Sequence, residues 1–167
     1  GVLNIGGISN ITIINEPTGI NDFISRDIGP GNCLIDTWIR KNSNDKFDKD
    51  GLYASSGRIN EIIIEQAQEL FSNKFKENYH SFDVSDFDVS FARGLSLEDG
   101  SATITEFTAN IISSSLITYS NKNKPFKVLL CGGGRKNKFL IERIKKKISK
   151  DLILEEIDNY GINGDFV

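Results

Sequence analysis

Short apolar runs separated by glycine-bearing turns dominate the start of the chain and predict strands. The runs Val2 to Ile5 and Ile8 to Ile14 flank Gly6-Gly7, which predicts a β-hairpin. A further turn with proline and glycine leads into a third strand, predicted over Ile20 to Arg26 and ending at Asp27. Three short strands joined by tight turns favour an antiparallel start to a sheet.

Farther along, apolar residues recur three and four positions apart, a spacing typical of amphipathic helices. The predicted helices cover Cys33 to Arg40, Gly57 to Phe75, Ala102 to Tyr119 with Ser101 as its N-cap, and Asn137 to Lys150. A charged stretch, Lys41 to Gly51, is predicted to be a surface loop. The continuous apolar run Val128 to Cys131 predicts a buried parallel strand, and Asp151 to Glu155 predicts a last strand. Strands that alternate with helices indicate an α/β fold with a mixed sheet.

Composition narrows the class of protein. The 167 residues suffice for one domain with a real core, and the net charge is −3 at pH 7. A sequence pI near 5.2 argues against a nucleic-acid partner, and no apolar run is long enough to span a membrane. Cys33 and Cys131 are predicted to be free, buried thiols of a reducing compartment, which implies a cytoplasmic protein. His80 is the single histidine, which excludes a multi-histidine metal site.

The residues at both ends of the sequence predict that it is a segment of a longer protein. The sequence has no methionine and begins directly with a strand-like run, Gly1 to Asn4. It stops at Gly164 to Val167, where a glycine-bearing turn should lead into another element. We therefore expect residues 1–167 to form a single lobe.

The stretch Asp27 to Asn32 is the main candidate for chemistry. Gly29 and Gly31 allow φ values that other residues avoid, and Asn32 is a favourable N-cap for the helix that follows. We expect this turn to hold Asp27 at the carboxyl edge of the sheet, where open α/β sheets bind ligands. The alternative is an ordinary strand–turn–helix corner with a merely solvated carboxylate, and these residues alone favour that alternative.

Two further glycine turns could approach an anionic ligand closely. Gly6-Gly7 leaves bare backbone amides, although an ordinary hairpin is the favoured explanation from these residues alone. Gly132-Gly133-Gly134 follows a strand and precedes a helix, the usual arrangement for an anionic or nucleotide ligand, but it matches neither the dinucleotide nor the P-loop pattern. Asp45, Asp48 and Asp50 superficially suggest a calcium loop, but their spacing is wrong and no bidentate Glu follows.

Six blocks of sequence stand in order along nearly the whole chain. They are Asn4 to Thr12 (NIGGISNIT), Asp27 to Trp38 (DIGPGNCLIDTW), Phe47 to Gly57 (FDKDGLYASSG), Leu95 to Ala109 (LSLEDGSATITEFTA), Cys131 to Asn137 (CGGGRKN) and Tyr160 to Asp165 (YGINGD). Together they closely resemble the second lobe of the anhydro-N-acetylmuramic acid kinase family, in which the second block begins D-T-G-P-G-N. The resemblance implies one ribonuclease-H-like lobe of the actin, sugar-kinase and heat-shock-chaperone ATPase superfamily. It also implies that the family's first lobe and final helices are absent from this chain.

The resemblance carries an activity and a set of site residues. Enzymes of the family use ATP and water to open the 1,6-anhydro ring of anhydro-N-acetylmuramic acid, and the product, N-acetylmuramic acid 6-phosphate, enters cell-wall sugar recycling. By this resemblance Asp27 is the general base for the attacking water. Gly6 and Gly7 contact the ATP phosphates, which Mg²⁺ bridges, while Gly132 to Gly134 and Asn137 border the adenosine. Asn32 either orients the sugar or only caps its helix. A homodimer is also implied.

Two departures from the family pattern bear on the site. Ile28 stands where the family has Thr, which removes a hydroxyl, and His80 stands where Lys is common. Two other functions therefore stay open: another sugar kinase or ATPase of the superfamily, and a degenerate lobe kept for protein–protein contact. Asp27 favours the kinase hypothesis, because a lobe without catalytic constraint would not need that acid.

Overall fold

The computed structural model of the protein describes residues 1–14, 23–76, 81–120 and 125–165. The predicted turn at residues 17–19, the first part of the predicted third strand, and His80 lie outside the described residues.

A five-stranded mixed sheet forms the centre of the fold, in the order β3-β2-β1-β4-β5. Its strands are β1 (Val2–Ile5), β2 (Ile8–Ile14), β3 (Phe23–Pro30), β4 (Phe126–Cys131) and β5 (Leu152–Glu156). β2 pairs in antiparallel fashion with β1 and β3, whereas β4 pairs in parallel with β1 and β5. The predicted antiparallel start, the buried parallel strand and the ribonuclease-H-like mixed sheet are therefore confirmed.

Helices flank this sheet. They are α1 (Cys33–Asn42), α2 (Leu52–Ser56), α3 (Glu61–Lys76), α4 (Leu97–Tyr119) and α5 (Lys138–Lys147), with short 3₁₀ turns at Lys49–Gly51, Val84–Asp86, Ser90–Ala92, Gly133–Lys136 and Ile157–Tyr160. The central helix is α4, which contacts the other helices and β3 and is buried over most of its length. Residues 100–109 of this helix are all buried, and they include polar side chains such as Ser101 and Thr105 as well as apolar ones such as Phe107.

The core is built from alternate strand residues and the apolar faces of the helices. Leu3, Ile5, Ile11 and Ile13 of β1 and β2 are at most 1% exposed, because every second side chain of a strand faces the same side of the sheet. The Asn10 side chain on the other face is half-buried. This alternation fixes the register of the two strands and, with it, the position of the turn between them.

The start of α4 differs from the sequence prediction. The helix begins at Leu97, not Ala102, and its N-cap is Ser96 rather than Ser101. The Ser96 hydroxyl oxygen accepts a hydrogen bond of 3.1 Å from the Asp99 amide. A serine followed three residues later by an acid is a common helix-start signal.

Two glycines near this helix start serve close packing. A Cβ on Gly100 would lie 2.1 Å from the Trp38 ring, so only glycine lets α1 and α4 approach this closely. A Cβ on Gly57 would lie 2.0 Å from the Glu98 carbonyl oxygen. Gly57 therefore belongs to a packed connection, and α3 begins at Glu61 instead of the predicted Gly57.

The predicted surface loop from Lys41 to Gly51 is only partly a surface feature. Asp48 within it is 4% exposed, and its carboxylate accepts hydrogen bonds from the Tyr53 amide (2.9 Å) and the Ala54 amide (3.0 Å). Satisfied this way, the buried carboxylate holds the first turn of α2.

Candidate active site

Asp27 lies at a β-bulge within β3. Asn10 of β2 pairs with Asp27. The preceding residue of β2, Ser9, pairs with Gly29, which leaves Ile28 without a partner on that strand. The prediction that the third strand ends at Asp27 is wrong, since β3 continues beyond it. A bulge bends its strand and re-aims nearby side chains, and such bulges are frequent beside active sites.

Ile28 belongs to the packing of the protein. Its side chain is 7% exposed and is part of the hydrophobic core. The replacement of the family's Thr by Ile at this position therefore changes a core contact in this chain.

The Asp27 carboxylate is held by a segment distant in sequence. The Ser81 hydroxyl and the Phe82 amide each donate a hydrogen bond of 2.9 Å to Asp27 Oδ2. Within the part of the chain that the structure describes, Oδ1 receives no hydrogen bond. The same segment reaches the β1–β2 turn, because a Cβ on Gly7 would lie 3.5 Å from Val84 Cγ2.

The β3–α1 turn (Gly29–Asn32) is locked to the β1–β2 turn (Gly6-Gly7) through backbone groups. The Gly31 and Cys33 amides donate to the Gly7 carbonyl at 2.9 and 3.1 Å, and the Asn32 amide donates to the Gly6 carbonyl at 2.7 Å. A Cβ on Gly31 would lie 2.3 Å from the Gly6 oxygen, so this position requires glycine. The two turns therefore form one rigid surface beside Asp27.

Asn32 occupies the N-cap position of α1, but its side chain makes no capping hydrogen bond. The alternative that Asn32 caps its helix through its side chain is therefore wrong. Its amide nitrogen Nδ2 lies 3.7 Å from the place that a Cβ would take on Gly133. This contact brings the β3–α1 turn next to the β4 turn (Gly132–Gly134).

Within the β4 turn, two of the three glycines are needed for packing. Gly132 has a φ of 77°, and a Cβ there would lie 2.2 Å from Asn4 Oδ1. A Cβ on Gly134 would lie 2.2 Å from Ile5 Cγ2. The middle residue, Gly133, is exposed, and a Cβ there would meet Asn32 Nδ2 at an ordinary van der Waals distance of 3.7 Å, so it is the glycine of this turn that a ligand could approach.

Arg135 ties the β4 turn to the end of the described chain. Its guanidinium donates to both carboxylate oxygens of Asp158 (2.7 and 3.0 Å), to Asp165 (2.6 Å) and to the Gly132 carbonyl (2.9 Å). The Gly132 amide in turn donates to the Gly164 carbonyl at 2.8 Å. Pairing with Arg135 lowers the pKa of Asp158 to about 2 and lowers the pKa of Asp165. The Arg135 side chain is only 4% exposed, so the cluster is an anchor beneath the turn.

Asn137 has a structural task in this turn. It is 7% exposed, and its Oδ1 accepts a hydrogen bond of 3.0 Å from the Leu140 amide, which caps α5. A 3₁₀ turn separates Gly132 from this cap, so the glycines do not lead directly into the α-helix. The role of Asn137 beside an adenosine stays a prediction.

Burial shifts the pKa values of two carboxyl groups on and near α1. Burial raises the pKa of Asp36 to about 6, against the opposing effect of Arg40, and the charge of Asp48 adds to the rise. Burial also raises the pKa of Asp48. The Cys33 thiol, likewise buried, has its pKa raised to about 11, so it is neutral at physiological pH and unsuited to act as a nucleophile.

The donor atoms bear on the predicted magnesium ion. No group of three or more His, Cys, Asp or Glu residues that could hold a metal occurs among the residues described. Mg²⁺ in phosphoryl-transfer sites is usually held by one or two carboxylates together with substrate phosphates and water, so it does not need such a group.

Among the described helices, none has the length and hydropathy required to cross a membrane.

The structure brings most of the predicted site residues together at one edge of the sheet. The β1–β2 turn, Asn32 and Gly133 lie next to one another at the carboxyl ends of β1, β3 and β4, and Asp27 lies within β3, three residues before its end. Sequence reasoning missed Ser81 and the anchoring role of Arg135. The available signal for the first was its place directly after His80, the position at which Lys is common in the family. For the anchoring role of Arg135, the available signal was an arginine directly after three glycines, with acidic residues farther along the chain.

Comparison with known proteins identifies the family. The profile described as anhydro-N-acetylmuramic acid kinase matches residues 1–167. The chain is 44% identical to the anhydro-N-acetylmuramic acid kinase of Pelagibacter ubique (strain HTCC1062) over 168 residues, which cover 99% of this chain and 44% of that protein. It is 35% identical to the enzyme of that name from Zymomonas mobilis, over 98% of this chain and 43% of that protein. The chain thus spans less than half the length of these relatives.

A solved structure supports the fold independently. The activator of the 2-hydroxyisocaproyl-CoA dehydratase from Clostridium difficile, with bound ADPNP, superposes with a TM-score of 0.59 at 16% identity, over 99% of this chain and 55% of that one. At this identity the likeness concerns architecture alone. The profile match over residues 1–167 shows that the chain belongs to the anhydro-N-acetylmuramic acid kinase family.

Proposed function

We propose that this chain is the base-bearing lobe of a kinase that opens 1,6-anhydro-N-acetylmuramic acid with water and phosphorylates O6 with ATP. The observation that carries the proposal is the Asp27 carboxylate. One of its oxygens is held by two donors, and it lies at the sheet edge where three glycine-bearing turns converge. A fixed carboxylate with a second oxygen available is suited to take a proton from a water molecule.

That placement supports the following reaction as part of the proposal. Asp27 removes a proton from water as the water oxygen attacks the anomeric carbon of the sugar. The bond from that carbon to O6 breaks, and O6 takes the γ-phosphoryl group of ATP with release of ADP. Phosphoryl transfer needs positioning and charge neutralisation more than covalent help from the protein, which suits a site built mainly from backbone turns.

The turns offer a cradle for the nucleotide. Gly7 and Gly133 are exposed, and neither has an atom closer than 3.5 Å to its Cβ position, so phosphates or adenosine can approach the backbone closely. Gly6 would contribute to the phosphate side and Gly132 and Gly134 would shape the adenosine side. Mg²⁺, bridging the phosphates, would neutralise charge that develops on them during transfer.

Asn32 is the candidate for sugar contact. Because its side chain does not cap α1, its amide is available for a polar ligand between the β3–α1 turn and Gly133. An amide can both donate and accept hydrogen bonds, which suits the hydroxyl and acetamido groups of an amino sugar.

The ATP site would be completed by a second lobe. This chain covers 44% of the length of its Pelagibacter relative, and the superfamily clamps ATP between two lobes. We therefore propose that residues 1–167 act together with a first lobe of the same protein and are inactive alone. A homodimer of the whole enzyme, by resemblance to the family, is part of the same proposal.

A substrate panel tests this function. The full-length protein is incubated with ATP and with anhydro-N-acetylmuramic acid, N-acetylmuramic acid, N-acetylglucosamine or no sugar, in water enriched in ¹⁸O. We expect ADP and a sugar 6-phosphate only with the anhydro sugar, with one ¹⁸O atom at the anomeric position. Phosphorylation of a free sugar alone would favour another sugar kinase, and ADP without sugar would favour an ATPase. No turnover with any substrate would favour a non-catalytic lobe.

A further inference from the structure

We propose that Ser81 is a positioning residue for the general base: together with the Phe82 amide it holds Asp27 Oδ2, so that Oδ1 faces the water. This inference rests on the proposed function of Asp27. Both donors lie 2.9 Å from the same oxygen, although they stand 54 and 55 positions away in the sequence. Such a long-range contact fixes a side chain that the sheet edge alone would leave free to rotate.

The choice of oxygen matters for catalysis. A carboxylate that acts as a base must present one oxygen to the water, at hydrogen-bond distance and in a defined direction. Two donors on Oδ2 define the plane and the rotation of the carboxylate, because both bonds are lost if it turns. Hydrogen bonds to a charged acceptor are roughly twice as strong as neutral ones, so the pair is a meaningful constraint even at a half-exposed site.

The segment that carries the donors is itself held in place locally. The Asp83 amide donates to the Asp86 carboxylate at 2.8 Å, and the Ser85 amide donates to Asp83 at 2.9 Å, which together form a capping box around a short 3₁₀ turn. Reciprocal bonds of this kind fix the direction in which the chain enters the turn. Ser81 and Phe82 lie just before that entry.

Aromatic packing connects the segment to the core. The Phe82 ring stacks on Phe87 at a centroid distance of 5.5 Å, and Phe87 packs on Phe71 of α3 at 5.6 Å. Phe71 lies 5.9 Å from Phe107 of α4. Aromatic pairs at these separations are favourable in tilted arrangements. The Phe82 residue is thus connected to the two long helices, α3 and α4, through a series of aromatic contacts.

Removal of the Ser81 hydroxyl should therefore lower kcat and leave the KM for ATP unchanged. In the full-length protein, Ser81→Ala keeps the Phe82 bond but loses one charged hydrogen bond, and we expect kcat to fall on the order of tenfold. The KM for ATP should be unchanged, because the Ser81 hydroxyl donates to Asp27, whereas the proposed ATP contacts are made by the glycine turns. Ser81→Thr retains the hydroxyl and should restore kcat to within about threefold of the wild type.

The chain offers a matched control four residues away. The Ser85 hydroxyl also donates to a carboxylate, Asp83 Oδ1 at 2.8 Å, but not to Asp27. Ser85→Ala leaves both backbone bonds of the capping box in place, so its kcat should equal that of the wild type. Thermal unfolding of each variant checks that the segment remains folded.

The outcomes separate this inference from the proposed function. A kcat for Ser81→Ala within about twofold of the wild type overturns the positioning role, as does an equal loss in Ser85→Ala. Failure of Ser81→Thr to restore the rate also overturns it, because a hydroxyl would then not be what matters. If, in parallel, Asp27→Asn abolishes turnover, the proposed function survives without this inference; if Asp27→Asn stays active, both fail.

Discussion

Two turns meet at the carboxyl edge of the sheet, and they are anchored by different forces. The β3–α1 turn is held by three backbone hydrogen bonds to the carbonyls of Gly6 and Gly7. The β4 turn is held by the buried guanidinium of Arg135, which binds Asp158, Asp165 and the turn itself. Backbone anchoring is neutral, whereas ionic anchoring depends on the charge of its groups, and both join segments that are distant in the sequence.

The difference follows from what each turn must support. Under the proposed function, the β3–α1 turn stands beside the general base Asp27, and a permanent positive charge in that turn would disturb proton transfer to its carboxylate. The β4 turn has no such neighbour and can use a buried ion cluster, which needs good geometry and full hydrogen bonding to be worth its desolvation. Arg135 meets that condition, because its guanidinium makes four hydrogen bonds at 3.0 Å or less.

Loss of Arg135 should produce the largest difference between the two turns. Arg135→Leu removes the shared partner of two carboxylates, and we expect the free energy of unfolding to fall by about 2 kcal/mol, since both acids can regain water. The KM for ATP should rise severalfold while kcat at saturating ATP changes little. Urea unfolding and steady-state kinetics of the full-length protein measure both effects.

The neighbouring lysine provides the control for that variant. Lys136 pairs with the same Asp165 at 2.6 Å but is 60% exposed, so Lys136→Met should change stability by less than about 1 kcal/mol. Equal losses in the two variants would show that burial of the Arg135 cluster does not matter. A selective loss of kcat in Arg135→Leu would contradict the assignment of this turn to the nucleotide.

Acidification should loosen the β4 turn before the β3–α1 turn. The pKa of Asp158 in the folded protein is about 2 and that of Asp165 is also lowered, while an unfolded Asp titrates near 3.8. The stability they contribute is therefore fully present above about pH 4 and is lost as the pH falls toward 2. The backbone bonds of the β3–α1 turn do not titrate.

Hydrogen exchange at pH 5 and pH 3 measures this order directly. Amides of residues 132–137 should lose protection at the lower pH, while those of residues 31–33 keep theirs. Parallel loss in both turns would mean that the two are not anchored independently.

The smallest expected effect on stability concerns the exposed glycine of the β4 turn. Gly133→Ala meets only Asn32 Nδ2 at 3.7 Å, so the free energy of unfolding should change by less than about 0.5 kcal/mol. The added methyl group should nevertheless raise the KM for ATP. Gly132→Ala is the comparison, since its φ of 77° and a contact of 2.2 Å to Asn4 predict clear destabilisation. An unchanged KM for ATP in Gly133→Ala would remove Gly133 from the proposed site.

The sequence allowed the fold to be predicted well because its signals are local. Alternation in β1 and β2, the apolar run of β4 and the glycine turns all act within a few residues. The main helix error arose at Gly100, a residue type that disfavours a helix interior, although Ser96 and Asp99 carry a local start signal for α4. Trp38 packs against that glycine, a contact that no local pattern reveals.

The glycines and the acid of the candidate site could be predicted from the sequence, but the contacts that hold them in place could not. The turns around Asp27 and Gly133 carry recognisable residue types, whereas the bulge at Ile28 depends on pairing with β2. Asn32 has the composition of an N-cap, yet its side chain does not cap. The donors from Ser81 and Phe82 reach Asp27 only through tertiary packing, which a single sequence does not specify.

The central claim is that Asp27 is the general base, and Asp27→Asn in the full-length protein tests it most directly. The change keeps the size of the side chain but removes its ability to take a proton. We predict that the rate of anhydro-sugar phosphorylation falls on the order of 10³-fold or more, while the affinity for ATP changes less than about twofold. A variant that retains turnover within about tenfold of the wild type, with ATP binding intact, would contradict the account.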